Sequence, residues 1–156
     1  EIIKKSPAEN VIDCFSGIGI TSALFALSGK KVTSIEISPS AVRDAKRIGA
    51  LNDLSADISY IRGDAAKILT KIGNAEKSIF FVDPPRSGLG EKTALMITGY
   101  APREIVYLSC NPQTLKEDIK TIIENGYKIV SATPYDLFPE TKHVETLVLF
   151  SAKQAK

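Results

Sequence analysis

The chain has 156 residues, the size of one ordinary domain, and its 44% hydrophobic content is enough to bury a real core. A net charge of +2 is near balance; it neither demands nor excludes a nucleic-acid partner, because a phosphate-binding face can be basic on a near-neutral protein. No apolar run approaches the ~20 residues that cross a bilayer, and no N-terminal stretch has the zones of a secretory signal, so a cytoplasmic protein without membrane contact is expected.

Along the chain the pattern is apolar strand, turn, amphipathic helix, repeated. Val11 to Phe15 reads as a strand, Ser16-Gly17-Ile18-Gly19 as its turn, and Thr21 to Ser28 as a helix closed by Gly29. Val32 to Ile37 is a second strand, and Ser38-Pro39 opens a helix through Asn52, with Ala41, Ala45, Ile48 and Leu51 near helical spacing. Ile58 to Ile61 is a third strand, followed by Gly63-Asp64 and a helix over Ala65 to Ile72. Ser78 to Val82 is apolar without alternation, which suits a strand buried on both faces; Asp83-Pro84-Pro85 ends it, since neither proline donates to a ladder.

A helix over Glu91 to Thr98 and a strand over Glu104 to Ser109 follow. Asn111-Pro112 starts a helix, with proline where its missing N–H costs nothing, and Gly126 stops it. Tyr127 to Thr133 and Val144 to Phe150 have no helical pattern between them, so the loop Pro134 to His143 joins antiparallel neighbours. The sum is an α/β fold: a mostly parallel seven-stranded sheet ending in an antiparallel hairpin, with helices on both faces.

Two cysteines, Cys14 and Cys110, and a single histidine, His143, are too few and too dispersed for a disulfide scaffold or a metal site. The lysines at Lys4-Lys5, Lys30-Lys31 and the Lys153/Lys156 tail are scattered and read as solvated surface.

In open parallel sheets the ligand lies across the carboxyl ends of the strands. The unusual residue choices fall there: Asp13 to Gly19, Glu36, Asp64, Asp83 to Arg86, and Ser109 to Pro112. Gly17-Ile18-Gly19 alone is a weak signal. The next glycine of a dinucleotide fingerprint is replaced by Ser22, and no phosphate-cradling Gly-Lys-Ser/Thr follows. Glu36 stands where a carboxylate can accept both ribose hydroxyls of a nucleoside, and Asp64 where one can accept from an adenine amino group. Either alone is more often a surface carboxylate or a helix cap. With Asp13, however, successive strand ends carry an acid beside a glycine turn. A nucleoside-bearing cofactor without a pyrophosphate is most simply S-adenosylmethionine.

Asp13-Cys14-Phe15-Ser16-Gly17-Ile18-Gly19, Ile35-Glu36-Ile37-Ser38, Asp83 to Leu89, Ser109-Cys110-Asn111-Pro112-Gln113-Thr114-Leu115, and Asp136-Leu137-Phe138-Pro139 with His143-Val144-Glu145 resemble the RNA uracil-C5 methyltransferases. The first two segments are general to S-adenosylmethionine enzymes; the last three together are specific. The resemblance covers nearly the whole chain. It implies a Rossmann-like class I methyltransferase fold and an RNA substrate, ribosomal or transfer. It also implies a cofactor site of Asp13, Phe15, Ser16, Gly17, Gly19, Glu36, Ile37, Asp64 and Asp83, and substrate contacts from Arg86, Asn111, Pro112, Phe138 and His143. An N-terminal RNA-binding barrel and a middle domain are expected ahead of this module in the whole protein.

Carbon 5 of uracil is too weak a nucleophile to take a methyl group directly. A thiolate added at carbon 6 makes an enolate that can, and a base must then remove the carbon-5 proton. Cys110 is the better thiol, between a strand end and a helix N-terminus whose dipole favours the thiolate; the plain alternative is a buried structural cysteine. Cys14 reads as packing. Cytosine-C5 RNA enzymes carry Pro-Cys where this chain has Pro85-Arg86, which argues for uracil. The resemblance makes Glu145 the base and has Asp83 face substrate and cofactor together. His143 either orients Glu145 or hydrogen-bonds the loop. Arg86 binds an RNA phosphate or buttresses its loop through a carboxylate. The Phe138-Pro139 loop covers the pocket or is an ordinary turn. Ile20 departs from the polar residue common in the family, with Thr21 beside it able to compensate.

Two rival readings have distinct signatures. An exocyclic-amine RNA or DNA methyltransferase carries an aromatic residue where Arg86 stands and has no need of Cys110. A noncatalytic subunit of the same fold can dispense with Cys110 and Glu145, and this chain has both.

Overall fold

The computed structural model describes residues 2–70, 72, 77–141 and 143–153. Thirteen elements alternate along it: α1 (Ile2–Lys5), β1 (Asn10–Cys14), α2 (Ile20–Leu27), β2 (Lys31–Glu36), α3 (Pro39–Leu51), β3 (Ile58–Arg62), α4 (Ala65–Leu69), β4 (Ser78–Val82), α5 (Gly90–Gly99), β5 (Glu104–Ser109), α6 (Pro112–Glu124), β6 (Tyr127–Tyr135) and β7 (Glu145–Ala152). The strands form one seven-stranded sheet in the order β3-β2-β1-β4-β5-β7-β6. All neighbours are parallel except β5/β7 and β6/β7, which are antiparallel, as the absence of a helical pattern between the last two strands predicts.

Helices α4, α5 and α6 cover one face, burying Leu69, Ala94, Ile97, Leu115 and Ile122 against Ile12, Phe80, Val82, Ile105 and Phe150. The other face carries Val11, Ile79, Phe81 and Val106 under Ile3 and Ala8, and Val32 and Ile58 under Ala23 and Ala26 of α2. Every residue of β4 is buried, which explains its unbroken apolar run. No helix among the described residues is long and apolar enough to cross a membrane.

Four details depart from the expectation. The lead-in to β1 contains a one-turn helix, α1, whose Ile3 packs into the core. The helix expected over Ala65 to Ile72 ends at Leu69, with Lys71 outside the described residues. β6 runs through Pro134 to Tyr135, because at the sheet edge a missing N–H need not break a ladder. A bulge lies between Ile129 and Ser131 of the same strand. Lys142 of the final loop and Lys156 of the basic tail lie outside the described residues.

Candidate active site

The strand order reverses between β1 and β4, and a crevice opens beyond the carboxyl ends of strands at such a point. The turn after β1 enters it in an unusual conformation: Phe15 has φ 63°, Gly17 φ 54° and Gly19 φ 81°. A side chain on Gly19 would meet Cβ of Ala45 at 2.7 Å, so glycine there lets α3 approach; one on Gly17 would meet nothing within 4 Å, leaving that backbone open to a ligand. Phe15, a non-glycine residue at positive φ, marks the kind of local strain that collects at binding sites.

Asp13 is fully buried beneath this turn. Its Oδ2 accepts from Thr21 Oγ1 at 2.8 Å and Ser22 Oγ at 2.5 Å, while Oδ1 is buried with no hydrogen-bond partner. Burial pushes its carboxyl up to about 6, against the pull of those two hydroxyls and with a further push from the charge of Asp83. Thr21 therefore donates its proton to Asp13, and Ile20 beside it is exposed. Ser16 is buried with its hydroxyl engaged by β2: it donates to the carbonyl of Ile35 at 3.3 Å and accepts from Ser34 at 2.8 Å.

At the end of β2, Glu36 accepts from the N–H of Gly17 at 3.0 Å and of Ser38 at 2.7 Å, one with each oxygen. Each oxygen keeps a second lone pair for an external hydroxyl. Asp64 caps α4 through the N–H of Ala66 at 2.8 Å. Phe15, Glu36, Ile37, Asp64, Pro85 and Leu89 line one cleft enclosing about 240 Å³. Four of the nine residues expected around a cofactor, Phe15, Glu36, Ile37 and Asp64, thus line one cleft.

The second group is assembled by strand register. Ser109, the last residue of β5, pairs with Thr146 of β7, so the next positions along the two strands are Cys110 and Glu145. Cys110 is half-buried and precedes Asn111, the N-cap of α6. Asp83 follows β4, the other neighbour of β5, and its N–H donates to the carbonyl of Cys14 at 3.4 Å. Although the residue is exposed, loss of water around its carboxyl pushes it up to about 6, with the charge of Glu145 adding to the effect. Asp13 thus feels the charge of Asp83, and Asp83 that of Glu145. Cys14 is fully buried and its thiol is pushed far up by that burial, which leaves it inert packing.

The turns carrying Asp83 and Cys110 are fastened together. Asn111 caps α6 through the N–H of Gln113 at 3.1 Å, and its Nδ2 donates to the carbonyl of Arg86 at 2.9 Å. Thr114 Oγ1 donates to the same carbonyl at 3.2 Å. Deeper in, the buried Asp118 accepts from the N–H groups of Leu89 at 2.8 Å and Gly90 at 3.1 Å and from the hydroxyl of Tyr107 at 2.6 Å. The Asn111 amide thus makes two bonds within the protein and keeps a second N–H for an outside partner. The sequence reading passed over Asp118. The available signal was its place on the apolar stripe of α6, between Leu115 and Ile122, where a charge needs a buried partner.

Arg86 and Pro112 are exposed beside this junction. Phe138 is 53% exposed, with its ring edge-on to that of His143 at 6.4 Å. The main-chain N–H of His143 donates to Thr141 Oγ1 at 3.2 Å.

A family model described as tRNA (Uracil-5-)-methyltransferase matches residues 1–153. The chain is 40% identical over 146 residues to an uncharacterized RNA methyltransferase of Streptococcus mutans, covering 92% of this chain and 32% of that protein. It is 41% identical over 141 residues to one of Thermotoga maritima, covering 90% and 31%. It spans about a third of the length of the curated relatives it matches. Among solved structures it is similar to the Pyrococcus abyssi tRNA (uracil-54, C5)-methyltransferase in complex with S-adenosyl-L-homocysteine, with a TM-score of 0.83 at 28% identity over 96% of this chain and 36% of that one. A putative tRNA (m1A22) methyltransferase of Streptococcus pneumoniae, with a TM-score of 0.75 at 14% identity over 99% of this chain and 69% of that one, shares the fold.

Proposed function

Because the chain belongs to the tRNA (uracil-5-)-methyltransferase family, we propose that it transfers a methyl group from S-adenosylmethionine to carbon 5 of a uridine in transfer or ribosomal RNA, with Cys110 as nucleophile and Glu145 as base. The observation that supports this reading is the β5/β7 register: Ser109 pairs with Thr146, and the positions next after that pair are Cys110 and Glu145. Asp83, just after β4, feels the charge of Glu145.

The residues present fit the cofactor. The orphaned Oδ1 of Asp13 is an acceptor awaiting a donor such as an ammonium group, and a buried carboxylate without one is costly. Glu36 has lone pairs for a ribose diol, Asp64 for an amino group, and Phe15, Ile37 and Pro85 offer apolar walls for a purine. When bound, S-adenosylmethionine supplies an electrophilic methyl group on a sulfonium.

Cys110 does the rest of the activation. Its thiolate forms a bond to carbon 6 of the uracil, the carbon 5–carbon 6 double bond opens, and the displaced pair becomes an enolate with nucleophilic character at carbon 5. Once carbon 5 carries its methyl group, Glu145 removes the proton there. The double bond re-forms, the carbon 6–sulfur bond breaks, and the thiolate of Cys110 is restored. Arg86, Phe138 and His143 are assigned to the RNA. We read the 156 residues as the catalytic portion of a longer cytoplasmic enzyme, whose remaining two-thirds supplies most of the grip on RNA. That division agrees with the share of the relatives that is matched.

The test is methylation of an unfractionated RNA pool by the full-length protein, followed by digestion and mass analysis of the nucleosides. The wild type yields 5-methyluridine and the Cys110→Ala variant yields none. A Cys110→Ala enzyme that still makes 5-methyluridine, or a wild type that methylates an exocyclic amine, overturns the assignment.

A further inference from the structure

The roles above leave Asp118 without one, and its surroundings are unlike those of a stabilising core residue. A carboxylate withdrawn from water is a poorer stabiliser than an apolar side chain of its size, even when fully bonded. What it provides is direction. Its partners come from separate places: Leu89 ends the turn that follows Asp83, Gly90 opens α5, and Tyr107 belongs to β5.

The same turn is pressed on Asp118 sterically. Gly88 has φ 76°, and a side chain there would meet Oδ2 of Asp118 at 2.6 Å and Cβ of Thr114 at 3.0 Å. At the other end of the turn, the carbonyl of Arg86 is held by Asn111 and Thr114. Helix α6 therefore grips the segment from Arg86 to Gly90 at both ends. Ser87, Gly88 and Leu89 of that segment form a wall of the cofactor cleft, while Cys110 sits just ahead of the same helix.

We propose that Asp118 is a positioning residue: by holding Leu89, Gly90 and Tyr107 on α6, it sets the separation between the nucleophile's turn and the cofactor cleft. This rests on the reading of Cys110 given above. It follows that Asp118 governs the step that needs both halves of the site, methyl transfer. It does not govern the step that needs only Cys110, Glu145 and RNA. That second step can be followed alone. Addition of the thiolate to carbon 6, protonation of carbon 5 from solvent, loss of either proton to Glu145 and elimination of the thiolate together exchange the carbon-5 hydrogen with no net reaction.

The experiment uses the full-length protein and RNA tritiated at uracil carbon 5, with every rate expressed per folded molecule by near-ultraviolet circular dichroism. Tritium loss without cofactor reports addition, and single-turnover methylation at saturating S-adenosylmethionine reports transfer. Asp118→Asn is expected to slow transfer between about tenfold and a hundredfold, the scale of a small misplacement of reacting groups, with exchange unchanged. Tyr107→Phe, which removes one donor and keeps the ring, shifts the same ratio less, and it carries the test if the Asn variant does not fold. Equal losses in both reactions, no loss in transfer, or a wild type that exchanges nothing without cofactor overturn the proposal. Failure of the underlying reading is separately visible. If Cys110→Ala exchanges tritium like the wild type, the nucleophile is wrong; if it is silent while Asp118→Asn transfers normally, only the positioning role falls.

Discussion

The side-chain amide of Asn111 donates to the main-chain carbonyl of Arg86 at 2.9 Å while its oxygen caps α6. One residue thus starts the helix behind Cys110 and fastens it to the turn that carries Asp83. The two functions separate by substitution. Asn111→Asp keeps an oxygen for the N–H of Gln113 but turns an acceptor toward the Arg86 carbonyl. Its unfolding free energy in urea should change by no more than about 1 kcal/mol, and kcat should fall about tenfold or more. Asn111→Ala loses the cap as well, with a stability loss of about 1–2 kcal/mol. An Asp variant with full activity would mean the tie is dispensable.

The two cysteines occupy opposite environments, one sealed in β1 and one half-open after β5. Iodoacetamide should alkylate Cys110 in the native protein and reach Cys14 only after unfolding, because a thiol held protonated and out of contact with water does not react. Peptide mass mapping over a time course reads both sites at once. Equal labelling of Cys14 under native conditions would contradict the packing described for it.

Asp13 and Asp83 both have carboxyls raised to about 6 from an ordinary 3.8. Between those values the folded protein holds protons that the unfolded chain has released. The stability these groups contribute is therefore complete below about pH 4 and is lost as pH rises through about 6. Urea midpoints across that window should show a falling component, flattened in Asp13→Asn. An ammonium-bearing ligand has the opposite preference, since it pairs with ionised Asp13. S-adenosylhomocysteine should bind more tightly as pH rises from about 5 to about 7, and calorimetry on Asp13→Asn should show most of that dependence gone. A wild-type affinity that is flat over this range would place the ammonium away from Asp13.

Much of this site was legible because the signals are local. The apolar run of Ser78 to Val82, the glycine turn after Asp13 and the Asn111-Pro112 helix start each announce themselves within a few residues, and the topology then stacks their ends side by side. The hairpin at the sheet edge was legible from what it lacks, a helical period between Tyr127 and Phe150. What was not legible depends on distant pairings. That Cys110 and Glu145 are the positions next to one strand pair, Ser109 with Thr146, follows from the register of β5 on β7, which no local pattern encodes. The destination of the Asn111 amide and the donors around Asp118 come from the turn after β4, far away in sequence. Pro134 misled for a related reason: proline reads as a strand end unless the strand is known to lie at an edge.

The central claim is a covalent bond between Cys110 and carbon 6 of uracil, and RNA carrying 5-fluorouridine tests it most directly. Fluorine at carbon 5 cannot leave as a cation, so Glu145 has nothing to remove and elimination stalls after methylation. Full-length protein incubated with this RNA and S-adenosylmethionine should give a band of protein–RNA adduct that survives denaturing gel electrophoresis. Mass mapping should find the nucleotide on Cys110, and Cys110→Ala should give no band. An adduct on another residue, or equal methylation of ordinary RNA by wild type and Cys110→Ala without any adduct, would contradict the account.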